Sequence, residues 1–138
     1  MIGFQNELEA NSTQEVLFKW IRKTFQENGW LQQHLGMEYR PQQETMAREV
    51  IGALSNDQPL LFEAGTGVGK SLAYLIPAIL HALRNKRQSV VATHTISLQE
   101  QIKDKDLEIC KRLFKSVPEL HPFAVFKVAF LIGKGNYL

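Results

Sequence analysis

A single cysteine, Cys110, excludes an internal disulfide and cannot assemble a thiolate metal site by itself. That scarcity suits a reducing compartment, in which Cys110 reads as a helix-packing residue. No stretch reaches the roughly 18 consecutive apolar residues that mark a membrane-spanning helix. Met1 to Asn11 also lacks the basic segment and apolar run of a secretory leader. The expectation is a cytoplasmic protein with no membrane partner. Net charge is small: 16 Lys and Arg stand against 14 Asp and Glu, leaving +2. Bulk electrostatics therefore neither announces nor forbids a nucleic-acid partner. The sequence has no internal repeat, low-complexity tract or clear domain linker. The composition is that of a globular chain, 44% hydrophobic and 22% charged over 138 residues, long enough for one real core.

The most informative stretch is Ala64-Gly65-Thr66-Gly67-Val68-Gly69-Lys70-Ser71, a Walker A pattern. Its glycines let backbone N–H groups wrap the phosphates of a nucleoside triphosphate at close approach. Lys70 is placed to reach the β- and γ-phosphates, and the Ser71 hydroxyl to ligate Mg²⁺. A helix starting near Gly69 adds its unpaired N–H groups and the positive end of its dipole. The bland reading is a glycine-rich turn without a ligand. Context disfavours it, because Pro59 to Glu63 reads as a buried strand entering the loop and Leu72 to Leu83 as a helix leaving it.

Elsewhere the periodicity is mostly helical. Ser12 and Glu15 have capping-box spacing, followed by Val16, Leu17, Trp20, Ile21 and Phe25 at helical intervals and a stop at Asn28-Gly29. Trp30 to Arg40 is irregular by pattern. Pro41 fits the first turn of a second helix with Met46, Val50, Ile51 and Leu54 on its apolar face, and Ser55 to Asp57 forms a turn. The helix after the loop carries Pro77 in its interior, which predicts a bend. Arg84 to Arg87 reads as a basic turn, Ser89 to Thr93 as a second strand buried on both faces, and Ser97 to Phe114 as a further helix. Phe126 to Ile132 is a third strand candidate. Alternating strands and helices predict an α/β fold with a parallel sheet, flanking helices and right-handed crossovers.

Four segments in order sharpen this reading: Tyr39-Arg40-Pro41-Gln42-Gln43, the Walker A loop with Glu63 before it, Thr93-His94-Thr95-Ile96-Ser97-Leu98-Gln99-Glu100-Gln101, and Gly133-Lys134-Gly135-Asn136-Tyr137-Leu138. The set, covering roughly residues 37 to 138, resembles the DinG/XPD-type branch of superfamily 2 DNA helicases. The resemblance implies a RecA-like P-loop NTPase motor domain, present in part. Residues 1–36 would be a helical N-terminal extension, and residues 37–138 the N-terminal part of motor domain 1. It implies ATP and Mg²⁺ as cofactors, single-stranded DNA as partner, and a monomeric motor moving 5′→3′ and unwinding duplex in DNA repair or replication.

Residue by residue, the resemblance places Gln43, with Arg40, in the adenine-sensing Q-motif, where an amide both donates to and accepts from the base edge. On pattern alone, Gln42 and Gln43 read as exposed helix residues. Thr93, His94 and Thr95 match motif Ia, whose hydroxyls and backbone N–H groups hold DNA phosphates without reading bases. The plainer reading makes Thr95 or Ser97 a helix cap, and both roles can coexist. His94 has no partner ligands nearby for metal binding. The cations Lys86, Arg87, Lys103, Lys105, Lys111, Arg112 and Lys115 are partly interleaved with Asp104, Asp106 and Glu108, the pattern of a solvated helix face rather than a phosphate track. Trp20 lies on an apolar stripe and reads as core.

A Walker B Asp-Glu-x-His segment, an arginine finger and a second motor domain do not occur in these residues, and no cysteine follows Asn136-Tyr137-Leu138. The expectation is therefore the front of a longer helicase, cut just before a region that in many family members holds a 4Fe–4S cluster. These residues alone are expected to bind ATP weakly and hydrolyse it poorly or not at all. The competing expectations are a stand-alone nucleotide-binding module without turnover and a P-loop phosphotransferase.

Overall fold

Helix α1 begins ten residues before its sequence signal. The computed structural model describes the backbone of residues 2–56, 70–87 and 96–129, and side chains over 14–56, 70–87 and 99–129. In it α1 runs over Ile2–Phe25, so the Ser12–Glu15 spacing lies inside the helix instead of starting it. Glu7-Leu8-Glu9-Ala10 are strong helix formers and carry the helix through Ser12. The C-terminal stop falls where expected: Asn28 takes φ 58°, and Gly29 follows.

Gly29 is required sterically. A Cβ there would collide with the carbonyl oxygens of Lys23 and, at 2.7 Å, Gln26. Both are backbone atoms that no rotamer change can move. Gly29→Ala is expected to lower stability by about 1–3 kcal/mol, read from the urea midpoint; an unchanged midpoint would show that the corner relaxes freely.

The segment expected to be irregular contains a short helix, α2 (Trp30–Leu35). Six residues are too few to display a period. The helix exists because Trp30 and Leu31 are buried and Gly36, at φ 66°, closes it, with Gly36 N–H donating to Gln32 O at 3.1 Å and Met37 N–H to Leu31 O at 3.2 Å. Helix α3 (Pro41–Ser55) starts at the proline as expected, with Arg40 held extended before it. Met46, Ala47 and Ile51 are buried on its inner face, while Val50 and Leu54 are half-buried.

Helix α4 (Lys70–Asn85) runs unbroken through Pro77. The proline nitrogen cannot donate to the Ala73 carbonyl, yet Pro77 lies buried among Leu72, Leu75, Ile76 and Leu80, and that packing outweighs one lost hydrogen bond. Helices α3 and α4 pack along each other. Leu54 and Ser55 at the end of α3 share a cleft with His81 and Asn85 at the end of α4, so the two helices run in the same direction. Gln14 of α1 ties into that end by donating to the Ser55 carbonyl at 3.1 Å.

The helix expected over 97–114 spans α5 (Ile96–Gln101), a π-helical turn (Ile102–Asp106) and α6 (Leu107–Ser116) without interruption. The Leu107 N–H reaches back to Ile102 O, five residues away. Beyond it a 3₁₀ turn (Pro118–Phe123) leads into residues 124–129, which form no regular element.

One core joins helices α1 through α4, the π-turn, α6 and the 3₁₀ turn. Leu17 and Ile21 of α1, Ile51 of α3, Ile76 and Leu80 of α4, and Leu113 and Phe114 of α6 are fully buried within it. Trp20 packs against this core, edge-on to Phe123 at 5.5 Å and under the Arg84 guanidinium at 5.5 Å. Cys110 is fully buried; desolvation first, and the neighbouring Asp106 charge second, push its thiol far above the ordinary range, leaving an inert packing residue.

No strand occurs among the described residues. The strands expected at 59–63 and 89–93 lie outside them. The third candidate is corrected where it can be seen: residues 126–129 are irregular. Phe126 is committed to an edge-on contact with Phe114 at 6.0 Å, which anchors it on α6, and Val128 remains exposed.

Candidate nucleotide site

Lys70 and Ser71 form the first turn of α4, the most apolar helix among the described residues and one held by core contacts along most of its length. A side chain at the mouth of such a helix is positioned by the core rather than by a loop. Lys70 is half-buried, and Ser71 is only 8% exposed. The Ser71 hydroxyl hydrogen-bonds the carboxylate of Asp106, on the π-turn before α6, as does the Gln101 side chain.

Asp106 is 5% exposed, and its Oδ2 has no hydrogen-bond partner among the described residues. Burial pushes its carboxyl above the ordinary carboxylate value; the hydrogen bonds from Ser71 and Gln101 and the charge of Lys105 pull it partly back. A compact cation, a primary hydroxyl and a buried carboxylate with spare acceptor capacity form a donor set suited to a polyanion and a hard, oxygen-seeking cation such as Mg²⁺. The residues present thus fit a Mg²⁺–nucleotide.

The sequence reading did not single out Asp106, treating it as one charge in a mixed run. A signal was available: Asp106 interrupts the inward stripe of Ile102, Leu107, Cys110, Leu113 and Phe114, where a solvated carboxylate would not belong. The rest of that run behaves as expected. Lys103, Asp104, Lys105, Glu108, Arg112 and Lys115 are exposed, and Lys111 pairs with Glu108 at 3.5 Å.

The structure separates the two glutamines at the start of α3. Gln42 is exposed, whereas Gln43 is 7% exposed and engaged. Because α3 and α4 run the same way and are of nearly equal length, Gln43 lies toward the end of the helix pair that carries Lys70 and Ser71. Arg40 stays at the surface, 3.6 Å from Glu38. Beside it the Tyr39 hydroxyl donates to Glu44 at 3.1 Å, and Glu44 also pairs with Arg48 at 3.7 Å. Desolvation, followed by that carboxylate, raises the Tyr39 hydroxyl above its ordinary value. Ala64, Gly65, Thr66, Gly67, Val68 and Gly69, and likewise Thr93, His94 and Thr95, lie outside the described residues.

Residues 40–127 match the DEAD/DEAH box helicase family. The chain belongs to that family. It is similar to the ATP-dependent helicase DinG of Mycobacterium tuberculosis, 43% identical over 105 residues covering 75% of this chain and 15% of that protein. Similarity extends to the 3'-5' exonuclease DinG of Bacillus subtilis, 42% identical over 103 residues covering 75% of this chain and 10% of that protein. The ATP-dependent DNA helicase YoaA of Escherichia coli is 38% identical over 103 residues, covering 75% of this chain and 14% of its own length. The chain thus spans about a tenth to a seventh of the length of these curated relatives. No solved structure matches it. Family membership implies a RecA-like P-loop fold, and the same-direction pair α3 and α4 is compatible with it. Among the described residues no helix is long and apolar enough to cross a membrane.

Proposed function

We propose that this chain forms the ATP-binding part of motor domain 1 of a DNA helicase, driving 5′→3′ movement on single-stranded DNA and duplex unwinding in repair or replication. The observation that carries this reading is the Lys70–Ser71 pair at the core-anchored start of α4, directly after the Walker A glycines. Bound Mg²⁺ would neutralise charge on the β- and γ-phosphates. Toward that complex Lys70 supplies a second positive charge and Ser71 an oxygen ligand. The residues from Ala64 to Gly69 supply N–H groups, and Gln43 selects adenine with Arg40 alongside.

In this reading residues 1–36 are a helical extension of the motor. Thr93, His94 and Thr95 hold the DNA backbone, and the motor works as a cytoplasmic monomer. Walker B and the second motor domain lie in the remainder of a protein as long as its relatives, as does any 4Fe–4S cluster. Residues 1–138 alone are then deficient in turnover, because phosphoryl transfer depends on groups from both halves of the motor.

The test is ATP hydrolysis by the whole protein with and without single-stranded DNA, followed by displacement of streptavidin from either end of a biotinylated strand. DNA-stimulated hydrolysis and displacement from the 3′ end alone are expected. Hydrolysis indifferent to DNA would favour a phosphotransferase, and displacement from the 5′ end alone would reverse the polarity.

A further inference from the structure

A carboxylate deep in an apolar helix interface is costly unless something balances its charge. Asp106 has that position, at 5% exposure among Leu107, Cys110 and Ile102, with one oxygen lacking a hydrogen-bond partner among the described residues. An apolar residue of similar size would pack there more cheaply. The helix carrying it also departs from regular geometry at this point, since the π-turn from Ile102 to Asp106 inserts one extra residue. Such an insertion shifts the facing of neighbouring side chains by about 100°. Here Ile102, Asp106 and Leu107 all face inward while Lys103, Asp104 and Lys105 face solvent.

We infer that Asp106 is a positioning residue for the Mg²⁺–nucleotide site, acting through Ser71. This rests on the nucleotide-binding reading of Lys70 and Ser71 given above. The carboxylate accepts the Ser71 hydroxyl hydrogen. With its hydrogen so committed, Oγ keeps its lone pairs for a cation, and the carboxylate charge lies next to that ligand oxygen. Partners of this kind, one bond removed from the metal, fix the orientation of the ligand and raise its basicity. The neighbouring positive charge of the ion in turn offsets the burial of Asp106. A bound Mg²⁺–nucleotide would therefore also tie α4 to the α5–α6 run.

The test measures affinity for a fluorescent ATP analogue with Mg²⁺ and with EDTA, together with melting temperature, for the wild-type whole protein, Asp106→Asn, Ser71→Ala and the double variant. Asp106→Asn is expected to weaken binding about 10–100-fold with Mg²⁺, to leave binding in EDTA unchanged, and to melt at or above the wild-type temperature. Added to Ser71→Ala it should cost nothing further, because both act on one ligand.

Equal affinity of Asp106→Asn and wild type in Mg²⁺, or a loss of equal size in EDTA, overturns the positioning role. Full additivity in the double variant does the same. Asp106→Leu, of similar volume, gives the same readout if the asparagine variant does not fold; failure of both to fold would make Asp106 a structural residue and also overturn the role. A wild-type protein that binds no nucleotide removes the nucleotide-site reading itself, and this inference with it.

Discussion

Lys70→Ala is expected to lower ATP hydrolysis by the whole protein about 100–1,000-fold, the size seen when one preorganised charge-stabilising donor is removed from a transition state. The expectation follows from where the side chain is held. Lys70 is the first residue of a helix whose following turns, through Leu72, Leu75, Ile76 and Leu80, are buried in the core, so its ammonium is delivered by a rigid support. No compensating cation is available from the same turn, because Ser71 follows and the next Lys or Arg of α4 is Arg84, near the far end. Lys70→Arg should rescue little, since a planar fork does not reproduce a compact point charge. Lys70 is half-buried and outside the core, so the melting temperature of Lys70→Ala should stay close to wild type. Loss of hydrolysis without loss of melting temperature assigns the residue to the reaction. Hydrolysis at the wild-type rate would remove Lys70 from the site.

What the sequence made legible, and what it hid, divides along a physical line. Helices α3 and α4 were readable because each carries an apolar stripe over four turns, and α3 has a proline at its first position. The Walker A pattern stands out in the sequence because phosphate binding demands particular residue types in a row; of it, the described residues include only Lys70 and Ser71, at the start of α4. Helix α2 was hidden because six residues carry no period, and the early start of α1 because its Ser–Glu spacing mimics a helix start from within. The π-turn had no sequence signature: Leu107 bonds back to Ile102 as part of how the π-turn and α6 pack on α4. The burial of Gln43 beside exposed Gln42 is likewise set by tertiary packing. Asp106 stood between the two cases, its charge lost in a polar run and its position marked by an apolar stripe.

Phe114→Ala is expected to destabilise the protein by about 3–5 kcal/mol, the range for truncating a fully buried aromatic side chain. Phe114 is completely buried, and it joins α6 to the chain that follows through its edge-on contact with Phe126, whose ring in turn lies 5.9 Å from the Lys111 ammonium. Removing the ring therefore deletes core volume and an aromatic partner at once. Against total stabilities of about 5–15 kcal/mol, this is enough to leave a substantial unfolded fraction at moderate temperature. Phe18→Ala provides the contrast: Phe18 is 41% exposed, and its loss should shift stability far less. Chemical denaturation of the two variants checks the pair, and similar midpoints for both would show that α6 does not share a core with α1 and α4. The effect should also reach the candidate site. Phe114 lies two turns beyond Asp106 on the same helical run, so loosening α6 weakens the support that holds the carboxylate against Ser71. Phe114→Ala should accordingly lose Mg²⁺–nucleotide affinity even at temperatures where most of it remains folded, whereas Phe114→Leu, which keeps much of the volume, should retain it.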